Sequence, residues 1–153
     1  MTSNKTNSAT FYVSRALWPQ QDIIEQKNII YSIREQVFVV EQSVDADIEW
    51  DGRDHLCRHV IAYSNDNQPI GTGRLLPGGH IGRIAVIALW RDKGVGSAIL
   101  KELISIAKDE GSVSVYLNSQ SQAIAFYERF GFVADGTIFM EANIKHQKMT
   151  LAF

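Results

Sequence analysis

Between residues 81 and 111 the chain changes rhythm twice, and few folds accommodate that. Ile81 to Ile87 (IGRIAVI) is an apolar run of buried-strand character. Arg91-Asp92-Lys93-Gly94-Val95-Gly96-Ser97 follows. Val95, Ile99, Leu103 and Ile106 then recur at helical spacing until Gly111 ends the helix. Glycines at a strand-to-helix junction leave backbone N–H groups uncovered at a helix N-terminus, an arrangement that binds anions. Arg91 and Lys93 add positive charge there, and a pyrophosphate is the natural guest. The loop is neither a P-loop nor a dinucleotide fingerprint, because G-x-x-x-x-G-K-[ST] and G-x-G-x-x-G are both missing.

The remaining pattern supplies a sheet around this junction. Phe11 to Leu17 reads as a first strand closed by Pro19. Asp22 to Gln42 reads as a helix, with Ile30, Ile33 and Val37 on one face. Arg58–Ser64, Pro69–Leu76 and Ile81–Ile87, separated by Asn65-Asp66-Asn67 and Pro77-Gly78-Gly79, read as an antiparallel meander. Val113–Leu117 is a short strand and Ser121–Phe130 a helix stopped by Gly131. Phe132 and Val133 begin another strand, and Lys148–Ala152 closes the sheet. The expected order is β-α-β-β-β-α-β-α-β-β. It implies an α/β (α+β) fold with a mixed, mostly antiparallel sheet, parallel only around Ile81–Leu117.

At 153 residues the chain has a one-domain length. Residues 1–9 read as a disordered N-terminus and 10–153 as a single domain. With 45% hydrophobic and 21% charged residues it has a globular composition, and a net charge of −2 gives no basic footprint for nucleic acid. The longest apolar run, Ile84–Trp90, is far short of the ~20 residues of a membrane span. The first ten residues lack the apolar core of a signal peptide, so the expected compartment is cytoplasmic. Cys57 stands alone, so the fold relies on no internal disulfide.

Two stretches together resemble a known family. IAVIALWRDKGVGSAIL (Ile84–Leu100) is similar to the acetyl-CoA-binding motif of the GCN5-related N-acetyltransferases (GNAT), and AIAFYERFGF (Ala123–Phe132) to that family's closing motif. The likeness extends through VFVVEQ (Val37–Gln42), LNSQSQAIAFY and the tail around Glu141 and His146, which matches the small stand-alone ElaA-like subgroup. The resemblance implies the GNAT acyl-CoA N-acyltransferase fold and an N-acetyltransferase. Acetyl would pass from acetyl-CoA, as co-substrate, to a primary amine of a small molecule or peptide, by direct attack in a ternary complex. It implies that the backbone of Ile84, Ala85 and Val86 pairs with the pantetheine arm, that Arg91, Asp92, Lys93, Gly94, Val95, Gly96 and Ser97 hold the pyrophosphate, and that Tyr127 lies near the thioester sulfur. Gln120 stands where many members carry Asn against the cofactor arm. Val115 stands where many carry a Glu general base. Glu141 and His146 are the candidate bases, with Glu41 a third, and no metal is required.

Other features carry weaker chemistry. His55 and His59 lie on extended chain, where four residues span roughly 13 Å, so they cannot share one ion. His59 reads as a structural histidine and His80 as a solvated turn residue. The stretch Asp45–Asp54 carries five carboxylates. It reads either as a solvated loop or as an attractor of a cationic amine, with Trp50 as an apolar or cation–π wall. Arg34, Phe38, Trp50, Asp54 and GRLLP (Gly73–Pro77) are also similar to the N-terminal half of acyl-homoserine-lactone synthases, which implies an alternative acyltransferase chemistry. With no base at Val115, a catalytically silent acyl-CoA-binding module is the other alternative. The acceptor and the oligomeric state, a homodimer included, stay open.

Overall fold

The computed structural model describes residues 10–153, so the expectation for residues 1–9 lies outside the described residues. Strand β1 (Phe11–Arg15) pairs antiparallel with β2 (Arg58–Ser64), β2 with β3 (Pro69–Leu76), and β3 with β4 (His80–Val86). This is the expected meander. Strand β5 (Ser114–Gln120) runs parallel to β4 but touches it through one residue pair, His80 with Tyr116. Beyond β5 lies β8 (Ile144–Ala152), antiparallel to it, and the short strands β6 (Val133–Ala134) and β7 (Phe139–Glu141) both pair with β8. The result is a mixed, mostly antiparallel sheet flanked by helices.

Helix α3 (Val95–Asp109) packs its apolar face on the meander, with Ile99, Leu100 and Leu103 fully buried. Each such side chain contributes roughly 1.5–3 kcal/mol of burial. The approach is close because β3 presents glycine beneath the helix. A Cβ at Gly73 would lie 2.7 Å from Ile99 Cγ2, and one at Gly71 would lie 2.9 Å from Ile99 Cδ1. That contact fixes the helix N-terminus beside the end of β4, where a Cβ on Gly96 would be 3.9 Å from Val86 Cγ2.

Several elements differ from expectation: β7 was not expected, and β8 begins at Ile144, ahead of the expected Lys148. The first helix is α-helical only over Ile24–Arg34 (α1) and then widens into a π-helical turn at Glu35–Glu41. There the Gln42 N–H reaches back to the Val37 carbonyl at 3.2 Å. The acidic stretch holds a further short helix, α2 (Ala46–Glu49), capped by the Asp45 side chain on the Asp47 N–H at 2.8 Å. The helix expected at Ser121–Phe130 opens with a 3₁₀ turn at Ser121–Ala123 and is α-helical over Ile124–Glu128 (α4). No described helix is long and apolar enough to cross a membrane.

Candidate active site

The site begins with a gap in the sheet. Having met at His80 and Tyr116, β4 and β5 diverge, so the facing edges of both strands are open further along. The Ile87 N–H donates to the Ile70 carbonyl at 3.0 Å, which makes Gly71–Val86 a non-hydrogen-bonded pair of the β3–β4 ladder. The Val86 N–H and C=O therefore point away from β3 into the gap. Alternation along the ladder turns Ala85 the other way, with its polar groups towards Thr72. Of the three residues the resemblance assigns to the pantetheine arm, Ala85 thus offers a buried side chain and no free backbone edge.

At the mouth of the gap lies the N-terminus of α3. Gly94 occupies the cap position with φ +87°, which favours glycine, and no side chain caps the helix. Its first internal bond runs from the Ala98 N–H to the Gly94 carbonyl at 3.1 Å. The N–H groups of Val95, Gly96 and Ser97 thus have no intrahelical partner. They carry the positive end of a 15-residue helix, equivalent to about half an elementary charge. Arg91 is folded inward: its Nε donates to the Val86 carbonyl at 2.9 Å, and it pairs with Glu41 at 2.9 Å. Glu41 is therefore engaged with the loop and does not line the cavity. Asp92 takes φ +62° in the turn between them. The mouth is bridged by amides, since Gln120 Nε2 donates to Gln42 Oε1 at 2.9 Å and Gln122 donates to Gln120.

Behind the gap is a cavity of about 470 Å³. Tyr127, Glu141 and His146 stand together in its wall. The His146 Nδ1 lies 2.7 Å from the Ile144 carbonyl. A carbonyl only accepts, so Nδ1 carries the proton and Nε2 of the neutral ring keeps its lone pair. Nε2 is 3.9 Å from Glu141 Oε2, a distance that one intervening water or amine can fill. The ring is held by stacking on Phe139 and by its place on β8 opposite Gln120. Burial pushes the Tyr127 phenol up to about 12, so it stays protonated across the neutral range. Val115 is fully buried in the core shared with α3, so a base at that position would be submerged in that core.

The cavity wall around Glu49, Asp51 and Arg74 is where the sequence was hardest to read. Glu49 and Asp54, expected in a solvated or amine-attracting loop, are buried. Arg34 binds Glu49 at 2.7 Å and Asp54 at 2.6 Å; Arg74 binds Asp54 at 2.9 Å and Asp51 at 2.6 Å. Arg83 lies 3.2 Å from Glu49 and 3.4 Å from Asp51. Six charges alternate in a closed, neutral ring. The guanidinium groups hold Asp51 and Asp54 below the usual carboxylate range, while burial raises Glu49. Trp50 lies over Arg34 at 4.9 Å and against Tyr31. Its cation partner is internal, and it does not line the cavity. Arg34, Asp54 and Arg74, which carry the likeness to lactone synthases, are members of this ring.

His80 is the apex of the gap and not a solvated turn residue. It stacks on Tyr116 at 4.6 Å, and burial lowers it to about 4. The unfolded chain takes up this proton near 6.5, the folded one only near 4, so stability is lost as pH falls through that window. Partial exposure reduces the effect to about 1–2 kcal/mol. His59, buried and lowered likewise, adds in the same direction. The urea midpoint is expected to drop between pH 7 and pH 5, and less steeply in His80→Gln; equal midpoints in the parent would contradict this.

Asp54, Cys57 and His59 bring ligand-type atoms within 4.8 Å of one another. All three have protein partners. Asp54 holds two arginines, the Cys57 thiol donates to the Arg53 carbonyl at 3.3 Å, and His59 Nε2 donates to the Asp54 carbonyl at 2.9 Å. Burial raises the thiol to about 11, which removes it as a thiolate ligand near neutrality.

A sheet splayed between its two parallel strands, with an uncapped helix N-terminus at the opening, defines the acyl-CoA N-acyltransferase fold. The chain belongs to the GNAT acetyltransferase family: the profile described as "Acetyltransferase (GNAT) domain" matches residues 22–153. The "Uncharacterized N-acetyltransferase YjcF" of Bacillus subtilis is 37% identical over 129 residues, covering 82% of this chain and 91% of that protein. An acyl-CoA N-acyltransferase from Pseudomonas aeruginosa superposes with a TM-score of 0.81 at 28% identity, covering 93% of this chain and 98% of that one. Escherichia coli ElaA superposes with a TM-score of 0.80 at 25% identity, covering 92% and 97%.

Sequence reasoning missed Arg53, Arg83 and His80 as cavity residues. A signal existed. Arg74 and Arg83 interrupt otherwise apolar strand runs, and a charge in a buried strand needs a partner of opposite sign. The nearby acidic stretch supplies it.

Proposed function

We propose that the protein is an acetyl-CoA-dependent N-acetyltransferase acting on a primary amine of a small molecule or peptide, by direct attack within a ternary complex. The observation that carries this reading is the Val86 N–H, which the ladder aims into the gap between β4 and β5. The residues suit the co-substrate: the free N–H groups of Val95, Gly96 and Ser97 would take its pyrophosphate, and the open edge of β4 at Ile84 and Val86 its extended arm. Acetyl-CoA supplies an activated acetyl thioester. The Val86 N–H would meet the charge that develops on the acetyl oxygen, a contact worth about 2.7–4 kcal/mol in comparable sites. His146 Nε2, with Glu141 beside it, would take the proton that the attacking amine must lose. Tyr127 would donate to the departing sulfur, as a phenol held neutral can.

The test is release of free thiol from acetyl-CoA across a panel of amino sugars, amino acids, polyamines and peptides. Acceptor-dependent release is expected. Cofactor binding with no release from any acceptor would overturn the proposal in favour of a silent binding module. Tyr127→Phe is expected to lower kcat by about 10²-fold with acetyl-CoA affinity unchanged. An unaltered kcat, with chemistry shown to limit the rate, would remove Tyr127 from the mechanism.

A further inference from the structure

The cavity wall holds three arginines and three acids: Arg53, Arg74 and Arg83 against Glu49, Asp51 and Glu141. Four of these belong to the ring, whose charges cancel. Two formal charges remain. The Arg53 guanidinium makes no ion pair with any described residue, and Glu141 has only the long contact with His146. These charges lie towards opposite ends. Arg53, exposed to solvent, lines the cavity with His80, whereas Glu141 pairs on β7 with Ile144 of β8, near His146. From Tyr116, the partner of His80, to Gln120, the partner of His146, β5 advances four residues, about 13 Å.

Two donors of the ring lack hydrogen-bond partners. Arg74 is only 3% exposed and lines the cavity, yet its Nε–H has no hydrogen-bond partner. Arg83 Nε is close to Glu49 but off the line of a hydrogen bond. Both atoms are closed to solvent, so they add positive charge at this end and no contact for a ligand. His80, neutral and stacked on Tyr116, adds no opposing negative charge.

We infer that the acceptor is an amine bearing an anionic group, carboxylate or phosphate, which the exposed Arg53 receives at the His80 end of the cavity while the amine lies by His146 and Glu141. This rests on the acetyl-transfer reading of the site and narrows its substrate class. A separation of no more than about 13 Å admits an amino-sugar phosphate or a short peptide ending in a carboxylate. It excludes polyamines, which would place a cation against Arg53.

The experiment is calorimetric titration of the full chain, with CoA present, using matched pairs of probes. Glucosamine 6-phosphate against glucosamine forms the phosphate arm, and glycylglycine against its C-terminal amide the carboxylate arm. The anionic member of at least one pair is expected to bind at least tenfold more tightly, and the arm that shows it identifies the group. Arg53→Gln should abolish that preference. Arg58→Gln, an exposed arginine paired with Glu110, should keep it. Equal binding within both pairs, or a preference that survives Arg53→Gln, overturns the inference. Thiol release measured in parallel separates the two claims. Acetylation of neutral amines without anion preference would sink the inference and leave acetyl transfer standing. Arg53-dependent anion binding without thiol release would do the reverse. Melting temperatures of both variants verify that they are folded.

Discussion

Arg34→Met is expected to cost about 3–5 kcal/mol of stability. Its guanidinium is 1% exposed and holds two buried carboxylates, Glu49 and Asp54. Removing it leaves each acid with one arginine in place of two, inside a site where water cannot make up the difference. For a domain of this size, a loss of that magnitude lowers the melting temperature by about 6–20 °C. Asp54→Asn should act from the other side, leaving Arg34 and Arg74 facing each other across a neutral amide. Arg15→Gln provides the contrast. Arg15 is paired with Glu102 and Asp109 at the surface, where a pair is worth about 0–1 kcal/mol. Thermal unfolding of the three variants measures the ordering, and a loss in Arg34→Met no greater than that in Arg15→Gln would contradict the ring's structural role.

His146→Asn is expected to lower kcat by about 10²–10⁴-fold without a matching loss of stability. The asparagine amide can still donate to the Ile144 carbonyl, as Nδ1 does now, whereas the lone pair of Nε2 is lost. The readout that separates a base from a packing residue is the pH dependence of kcat/KM. Its acid limb, which reports protonation of the base, should disappear in the variant. A kcat within threefold of the parent at every pH would exclude His146 as the proton acceptor. Glu141 would then be the group to test.

Much of the framework was legible because it depends on local pattern. The turns at residues 65–67 and 77–79 set the meander, and the spacing of Val95, Ile99, Leu103 and Ile106 set α3. The glycine loop located the helix N-terminus, which is a local event. What sequence could not convey was partnership across distance. The five acids of residues 45–54 look like a solvated run, and only the fold brings Arg34, Arg74 and Arg83 to three of them. His80 follows two glycines and has the signature of an exposed turn, yet β5 arrives from more than thirty residues away to place Tyr116 against it. The β7–β8 hairpin around Ala142 and Asn143 was likewise unread, because both residues hold positive φ without a glycine to announce the turn.

The wide turn at Glu35–Glu41 has a mechanical consequence. It carries Val37 onto Ala85, brings Phe38 and Gln42 to the cavity wall, and anchors Arg91 through Glu41. The cavity wall and the glycine loop are therefore cantilevered from one short segment. Restoring ordinary helical pitch there, by deleting a single residue, would rotate both attachments together. The two share a single hinge pin, and neither can be re-registered alone.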